Sequence, residues 1–282
     1  MSHASEVEQR KRDTAGVFSR SADTYDSVGP RFFAHFGRRL VEHAQLSRGA
    51  RVLDVATGRG AVLFPAAEAV GAEGRIFGTD LSENMVGQAS ADIAQRGITN
   101  AEVRLMDAEQ LEFADETFDH VLCGFALAFF PQVERALSEF SRVLKSRGRV
   151  TVSTWASPDE RWKWRGELLK KYLPVPSSGS STITQPAFHT AERMEAIMDR
   201  AGVGDVRVIA EAPEFVFADE EAWWASSWSH GLRYDFERIE QHGGAEALRS
   251  FKDEAFEQLR AQKQPNGIPV ILSVLFTLST KT

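Results

Sequence analysis

The chain has 282 residues, 43% of them hydrophobic and 26% charged, a globular balance that excludes a disordered, collagen-like or disulfide-stapled protein. Lysine and arginine total 33 against 40 aspartates and glutamates, a net charge of −7 with no basic stripe, so a nucleic-acid backbone is not an expected partner. The single cysteine, Cys123, excludes an internal disulfide and a multi-cysteine zinc site and fits a reducing, cytoplasmic setting.

In chain order, the polar start Met1-Ser2-His3-Ala4-Ser5-Glu6 lacks the apolar stretch of a signal peptide, and no later run is long and apolar enough to predict a membrane span. Residues 1–46 read as an N-terminal helical cap. Phe18, Ala22 and Tyr25 keep helical spacing, and Phe32, Phe33, Phe36, Leu40, Val41 and Ala44 continue it after Gly29-Pro30. Such a stripe either packs on a domain surface or also covers a ligand.

From 47 to 157 strands and helices alternate. Arg51–Val55 is an apolar run leading through Ala56-Thr57-Gly58-Arg59-Gly60 into an alanine-rich helix. Arg75–Asp80 is a second strand, followed by Ser82 as a helix N-cap; Glu102–Met106, Phe118–Cys123 and Arg149–Thr154 are the third, fourth and fifth. This alternation predicts βαβ units, a parallel sheet and an α/β, doubly wound fold. Residues 158–218 read as a connection: a loop at Pro174–Ser181, a helix capped by Thr190, and a strand from Val206 to Phe217. Residues 219–264 form a helical lid insertion, and 265–282 hold the final strand, the apolar run Ile268–Phe276.

The glycine turn at the end of the first strand lets a ligand approach backbone where a Cβ would collide. Glycine occurs in it only at 58 and 60, which departs from the G-x-G-x-x-G pattern of dinucleotide sites, and the lysine of a phosphate loop is absent. An acid, Asp54, sits in the strand instead. Asp80 lies 22 residues after Gly58, where it either caps the next helix or accepts hydrogen bonds from both hydroxyls of a ribose. Asp107-Ala108-Glu109 follows the third strand, and Cys123-Gly124-Phe125 ends the fourth. A lone cysteine in an apolar strand reads as buried and inert.

The ordered set Leu53–Gly60, Gly78–Met85, Asp107-Ala108, Phe118–Val121 and Arg142–Val150 resembles a class I S-adenosylmethionine-dependent methyltransferase. The segment Phe18–Asp26 is similar to the start of the ubiquinone/menaquinone methyltransferase branch. Ala56 stands where many members carry glycine, and a small side chain there still lets a ligand pass. The resemblance implies a seven-stranded, Rossmann-like mixed sheet with its last strand antiparallel, and S-adenosylmethionine as cofactor. It also implies a map. Ala56, Thr57, Gly58 and Gly60 line the amino-acid end of the cofactor, and Asp54 orients its amino group. Asp80 binds the ribose, and Leu81 and Met85 pack near the adenosine. Asp107 and Ala108 face the adenine. Cys123, Gly124 and Phe125 border the methyl group, and Tyr25 closes from above.

Methyl transfer needs alignment and exclusion of water, and a hydroxyl or acidic carbon nucleophile also needs its proton removed. Among the seven histidines, His35, His189 and His230 are the candidate bases, with His230 foremost because it follows the tryptophan-rich run Trp223–Ser229. Trp162, Trp164, Trp223, Trp224 and Trp228 read as a hydrophobic cap, as the wall of an apolar acceptor pocket, or as both. No metal-ligand pattern stands out. The expected function is methyl transfer to oxygen or carbon of a small, largely apolar or aromatic acceptor, natural-product or quinone-like, with oligomeric state left open. The rivals are a cyclase or rearrangement catalyst of the same fold, and a non-enzymatic interaction module.

Overall fold

Four consecutive buried residues in β1 (Arg51–Val55) mark a strand covered on both faces. In a computed structural model describing residues 3–173 and 188–281, it is flanked in parallel by β2 (Arg75–Asp80) and β4 (Phe118–Gly124). Outside these lie β3 (Ala101–Leu105) and β5 (Leu144–Trp155), also parallel. β6 (Gly204–Glu211) forms the far edge, and β9 (Val274–Thr280) inserts antiparallel between β5 and β6. The order β3-β2-β1-β4-β5-β9-β6 is a seven-stranded mixed sheet with its last strand antiparallel.

Helices cover both faces. α2 (Phe32–Ala44) and α3 (Leu63–Val70) bury Phe36, Leu40 and Leu63 against Val52 and Phe276 on one side. On the other, α5 (Val133–Val143) and α7 (Ala191–Arg200) bury Leu137, Phe140, Met194 and Met198 against Val121 and Val150. Each fully buried Leu, Phe or Met contributes roughly 1.5–3 kcal/mol relative to exposure. α1 (His3–Ser21) packs across α4 (Glu83–Gln95) above the sheet edge.

The lid has its own core. α6 (Lys163–Tyr172), α8 (Glu220–Trp228) and α9 (Arg233–Gln262), the last broken at Gly244, gather Trp223, Phe236, Phe251 and Leu259. Two runs expected as single strands are each split. Val206–Phe217 breaks at Pro213 into β6 and β7 (Glu214–Phe217), because proline has no N–H for the ladder. Ile268–Phe276 breaks at Leu272-Ser273 into β8 (Ile268–Ile271) and β9. β7 and β8 pair as a separate two-stranded ribbon beneath the lid. The loop expected at Pro174–Ser181 lies outside the described residues.

One contact ties α2 to the glycine turn. A Cβ built on Gly37 would run into the backbone carbonyl of Ala61. Gly37→Ala should therefore cost about 1–3 kcal/mol through overpacking, seen as a lower urea midpoint at unchanged slope. An unchanged midpoint would mean that α2 does not press on this turn.

Candidate functional site

The parallel strands β1, β2, β3 and β4 all end on the same edge of the sheet, where ligands bind in open α/β folds. A cleft with about 1710 Å³ of atom-free space, open solvent included, opens along that edge. It runs from Asp80 and Asp107 at one end to Trp155, Trp223 and His230 at the other.

The first end is built by the turn after β1. Ala56 and Gly58 both take left-handed backbone, with φ of 55° and 54°. For alanine this costs roughly 1–2 kcal/mol, and such strain gathers at binding sites. The Thr57 N–H donates to Thr79 O at 2.9 Å, which ties the turn to β2. Asp80 then clamps both loops: its Oδ2 accepts from Gly58 N and its Oδ1 from Ser82 N, each at 2.9 Å. The helix cap is Ser82 itself, which accepts from Met85 N. Burial raises the Asp80 carboxyl above the ordinary carboxylate range, against the backbone donors that hold it down.

Beneath the turn, Asp54 is 1% exposed. Its Oδ2 accepts from the Thr57 hydroxyl at 2.6 Å, and among the described residues its Oδ1 has no hydrogen-bond partner. Burial, reinforced by Asp80 and opposed by the Thr57 hydroxyl and the Leu63 N–H, pushes this carboxyl up to about 7. A buried acid with an open oxygen is suited to a cationic group. The sign of the pH effect follows. Unfolded, Asp54 ionises near 4; folded, it keeps its proton to about 7. Its contribution to stability is thus complete below pH 4 and is lost as pH rises to 7. Asp54→Asn should flatten the decline in thermal midpoint of the free protein between pH 4 and 7. Parallel profiles for both proteins would contradict the placement of that proton.

Past β3, Asp107 accepts from Glu109 N at 2.8 Å and from Lys11 Nζ at 2.6 Å. Lys11 also pairs with buried Glu109 at 2.7 Å. Burial disfavours the Lys11 charge, but the two acids outweigh it and raise its pKa. Lys11, Thr14, Ala15 and Phe18 all line the cleft from α1. Their spacing of three, one and three puts them on one helix face and extends the Phe18–Tyr25 stripe upstream, a signal present in the sequence.

The other end is aromatic. Phe125 stacks on Trp155 with centroids 4.3 Å apart, and Tyr25 stacks on Phe33 at 5.3 Å. Burial, then the nearby Asp26 and Asp80, pushes the Tyr25 phenol upward, so it stays protonated. Trp223 sits where the lid core meets the cleft. Trp223, Ser227 and His230 reach the cleft. Trp224 and Trp228 turn into the lid core, where Trp224 stacks on Phe236 at 4.5 Å. Trp162 lines the cleft, and Trp164 packs beside it at 5.8 Å. Cap and pocket wall thus coexist.

Of the residues singled out by sequence, Tyr25, Ala56, Gly58, Asp80, Leu81, Met85, Asp107, Ala108, Gly124 and Phe125 line the cleft. Asp54, Thr57, Gly60 and Cys123 do not. Asp54 and Thr57 lie one layer below, Gly60 abuts the Phe64 ring, and Cys123 is fully buried in the sheet core, its thiol pushed upward by burial. Among the three histidines only His230 faces the cleft, with Phe32 and Phe33 at 5.5 and 5.9 Å. His35 packs on Phe36 and Phe215, and His189 sits beside the N-cap of α7. Among the described residues there is no acid or histidine cluster able to hold a metal, and no helix long and apolar enough to cross a membrane.

A methyltransferase domain model matches residues 52–148. Nocamycin O-methyltransferase of Saccharothrix syringae is 33% identical over 235 residues, 79% of this chain and 84% of that protein. The chain belongs to the S-adenosylmethionine-dependent methyltransferases. The methyltransferase also matches the ubiquinone/menaquinone biosynthesis C-methyltransferase UbiE of Burkholderia mallei, 32% identical over 151 residues, 52% of this chain and 62% of the relative. The YcgJ protein of Bacillus subtilis shares its fold, with a TM-score of 0.60 at 20% identity over 88% of this chain and 98% of the other.

Proposed function

We propose that this methyltransferase passes the methyl group of S-adenosylmethionine to oxygen or carbon of a small, largely apolar or aromatic acceptor of natural-product or quinone type. The observation that carries this reading is the two-part cleft: acids and a strained small-residue turn at one end, stacked aromatic rings and a neutral imidazole at the other. The orphaned Asp54 Oδ1 and the clamped Asp80 carboxylate fit a ligand that carries an ammonium, a sulfonium and a ribose diol. The relatives' names, one an O-methyltransferase and one a C-methyltransferase of quinone biosynthesis, support the acceptor class without choosing the atom.

In this reading Asp80 holds the ribose hydroxyls, Asp107 and Ala108 border the adenine, and Leu81 and Met85 pack on the adenosine. Ala56 and Gly58 lie along the amino-acid end. Thr57 and Asp54 fix the turn from below, with Asp54 Oδ1 directed at the ammonium, directly or through water. Gly60 shapes the turn through its contact with Phe64, and Cys123 contributes by packing alone. Bound S-adenosylmethionine supplies a methyl group already activated on sulfonium. The protein's part is alignment and dryness: Phe33, Phe125 and Trp155 wall the acceptor, Tyr25, beside Gly58, closes over the cofactor, and His230 accepts a hydrogen bond from the acceptor. Incubation of a metabolite extract with the protein and deuteromethyl-labelled cofactor tests this. The expected product is a hydrophobic small molecule with the label on oxygen or carbon by NMR. Labelled nucleic acid or protein instead would reject the acceptor class.

A further inference from the structure

Two cations line the cleft. Lys11 is ion-paired with Asp107 and Glu109. Arg165, on α6, makes no hydrogen bond or ion pair to any described residue. Of the acids near it in sequence, Glu167 pairs with Lys170 at 2.9 Å and Glu160 with Lys163, while Asp159, on the cleft wall, is taken by Arg161 at 2.7 Å and by Ile271 N at 3.1 Å. Asp235 favours the Arg165 charge only through space. Trp162, Trp223, Leu232 and Val270 line the same cleft, together with the polar Ser227 and His230.

A half-buried guanidinium that no described residue hydrogen-bonds gives up part of its hydration, a cost that a bound ligand can offset. Its planar fork of donors matches a delocalised oxyanion better than a neutral carbonyl or hydroxyl. His230 feels the same charge, because after burial the proximity of Arg165 is what disfavours its protonated form. An anion bound at Arg165 would offset that repulsion, so the two residues would act on one acceptor.

We propose that Arg165 is an acceptor-binding residue that receives an oxyanion of the substrate, a carboxylate or an ionised acidic enol, and so selects acidic acceptors. The proposal deepens the reading of the aromatic end of the cleft as the acceptor site and rests on it. Its test measures binding without turnover, so failure of methyl transfer and failure of anion recognition are separately visible.

Three probes are titrated into the protein saturated with S-adenosylhomocysteine: 2-naphthoate as carboxylate, 4-hydroxycoumarin as acidic enol, and 2-naphthamide as neutral isostere. Wild type is expected to bind at least one anion about tenfold or more tighter than the amide, as a charge-assisted pair would give. The anion preferred identifies which oxyanion the site takes. Arg165→Gln should lose that preference while keeping its affinity for the amide and for S-adenosylhomocysteine, which also reports that it is folded. Arg165→Lys should retain part of it, and carries the test if the glutamine variant does not fold. Equal binding of anions and amide by wild type, including no binding of any, overturns the proposal, as does a preference that survives in Arg165→Gln.

Discussion

Replacing Asp80 with alanine is expected to weaken S-adenosylmethionine binding by about 2–4 kcal/mol, roughly 30- to 1000-fold. Both carboxylate oxygens are held by backbone donors, Gly58 N and Ser82 N at 2.9 Å. That fixes the group in place before any ligand arrives and leaves its remaining lone pairs free to accept from a diol. The mutation removes those acceptors and also unties the glycine turn from the start of α4. Calorimetric titration of the free protein reads the loss directly, with circular dichroism as a check on folding. A folded variant with wild-type affinity would take Asp80 out of the cofactor site.

His230→Ala is expected to keep cofactor affinity and to slow methyl transfer by about 10²-fold, the lower edge of the usual span for a positioned base. The lower edge follows from its surroundings. His230 is 9% exposed. Burial, then Arg165, pushes the imidazole down to about 3. It is therefore neutral throughout the physiological range, able to accept a proton but reluctant to hold one. The same shift predicts a rate profile with no histidine step between pH 5 and 8, since the imidazole protonates only in stronger acid. Single-turnover rates across that range test both statements. A near-normal rate in the variant would leave alignment alone as the source of catalysis, and a step near pH 6.5 would mean that His230 is solvated in the working enzyme.

The parts of the site that lie close together in sequence were readable from it. The β1 turn, Asp80 and Ser82 follow from strand-end glycines and helix-cap chemistry, which act within a few residues. The parallel βαβ core also followed from the alternating pattern, and the seven-stranded sheet with its last strand antiparallel from the family resemblance. What escaped depended on distant packing. The run Val206–Phe217 read as one strand despite Pro213, and that β7 would leave the sheet to pair with β8 depends on the helices packed on it. Helical spacing linked Trp224 to Trp228, and those two face the lid core; the neighbouring face carrying Trp223, Ser227 and His230 meets the cleft. Choosing between the faces requires knowing where the sheet edge lies. Arg165 belongs to no local motif, and only the fold brings it to the cleft near His230. His35 and His189 carry the same imidazole as His230 but lie away from the cleft, and Cys123 stands behind the binding surface with its side chain in the core.

Whether this cleft transfers a methyl group from S-adenosylmethionine to a small acceptor is decided by product stoichiometry. With an accepted substrate and methyl-labelled cofactor, S-adenosylhomocysteine and labelled product are counted by mass spectrometry over a single turnover. One S-adenosylhomocysteine for each labelled product, with both lost together in Asp80→Ala, is the predicted result. Conversion of the substrate to an unlabelled, rearranged product with the cofactor left intact would contradict it.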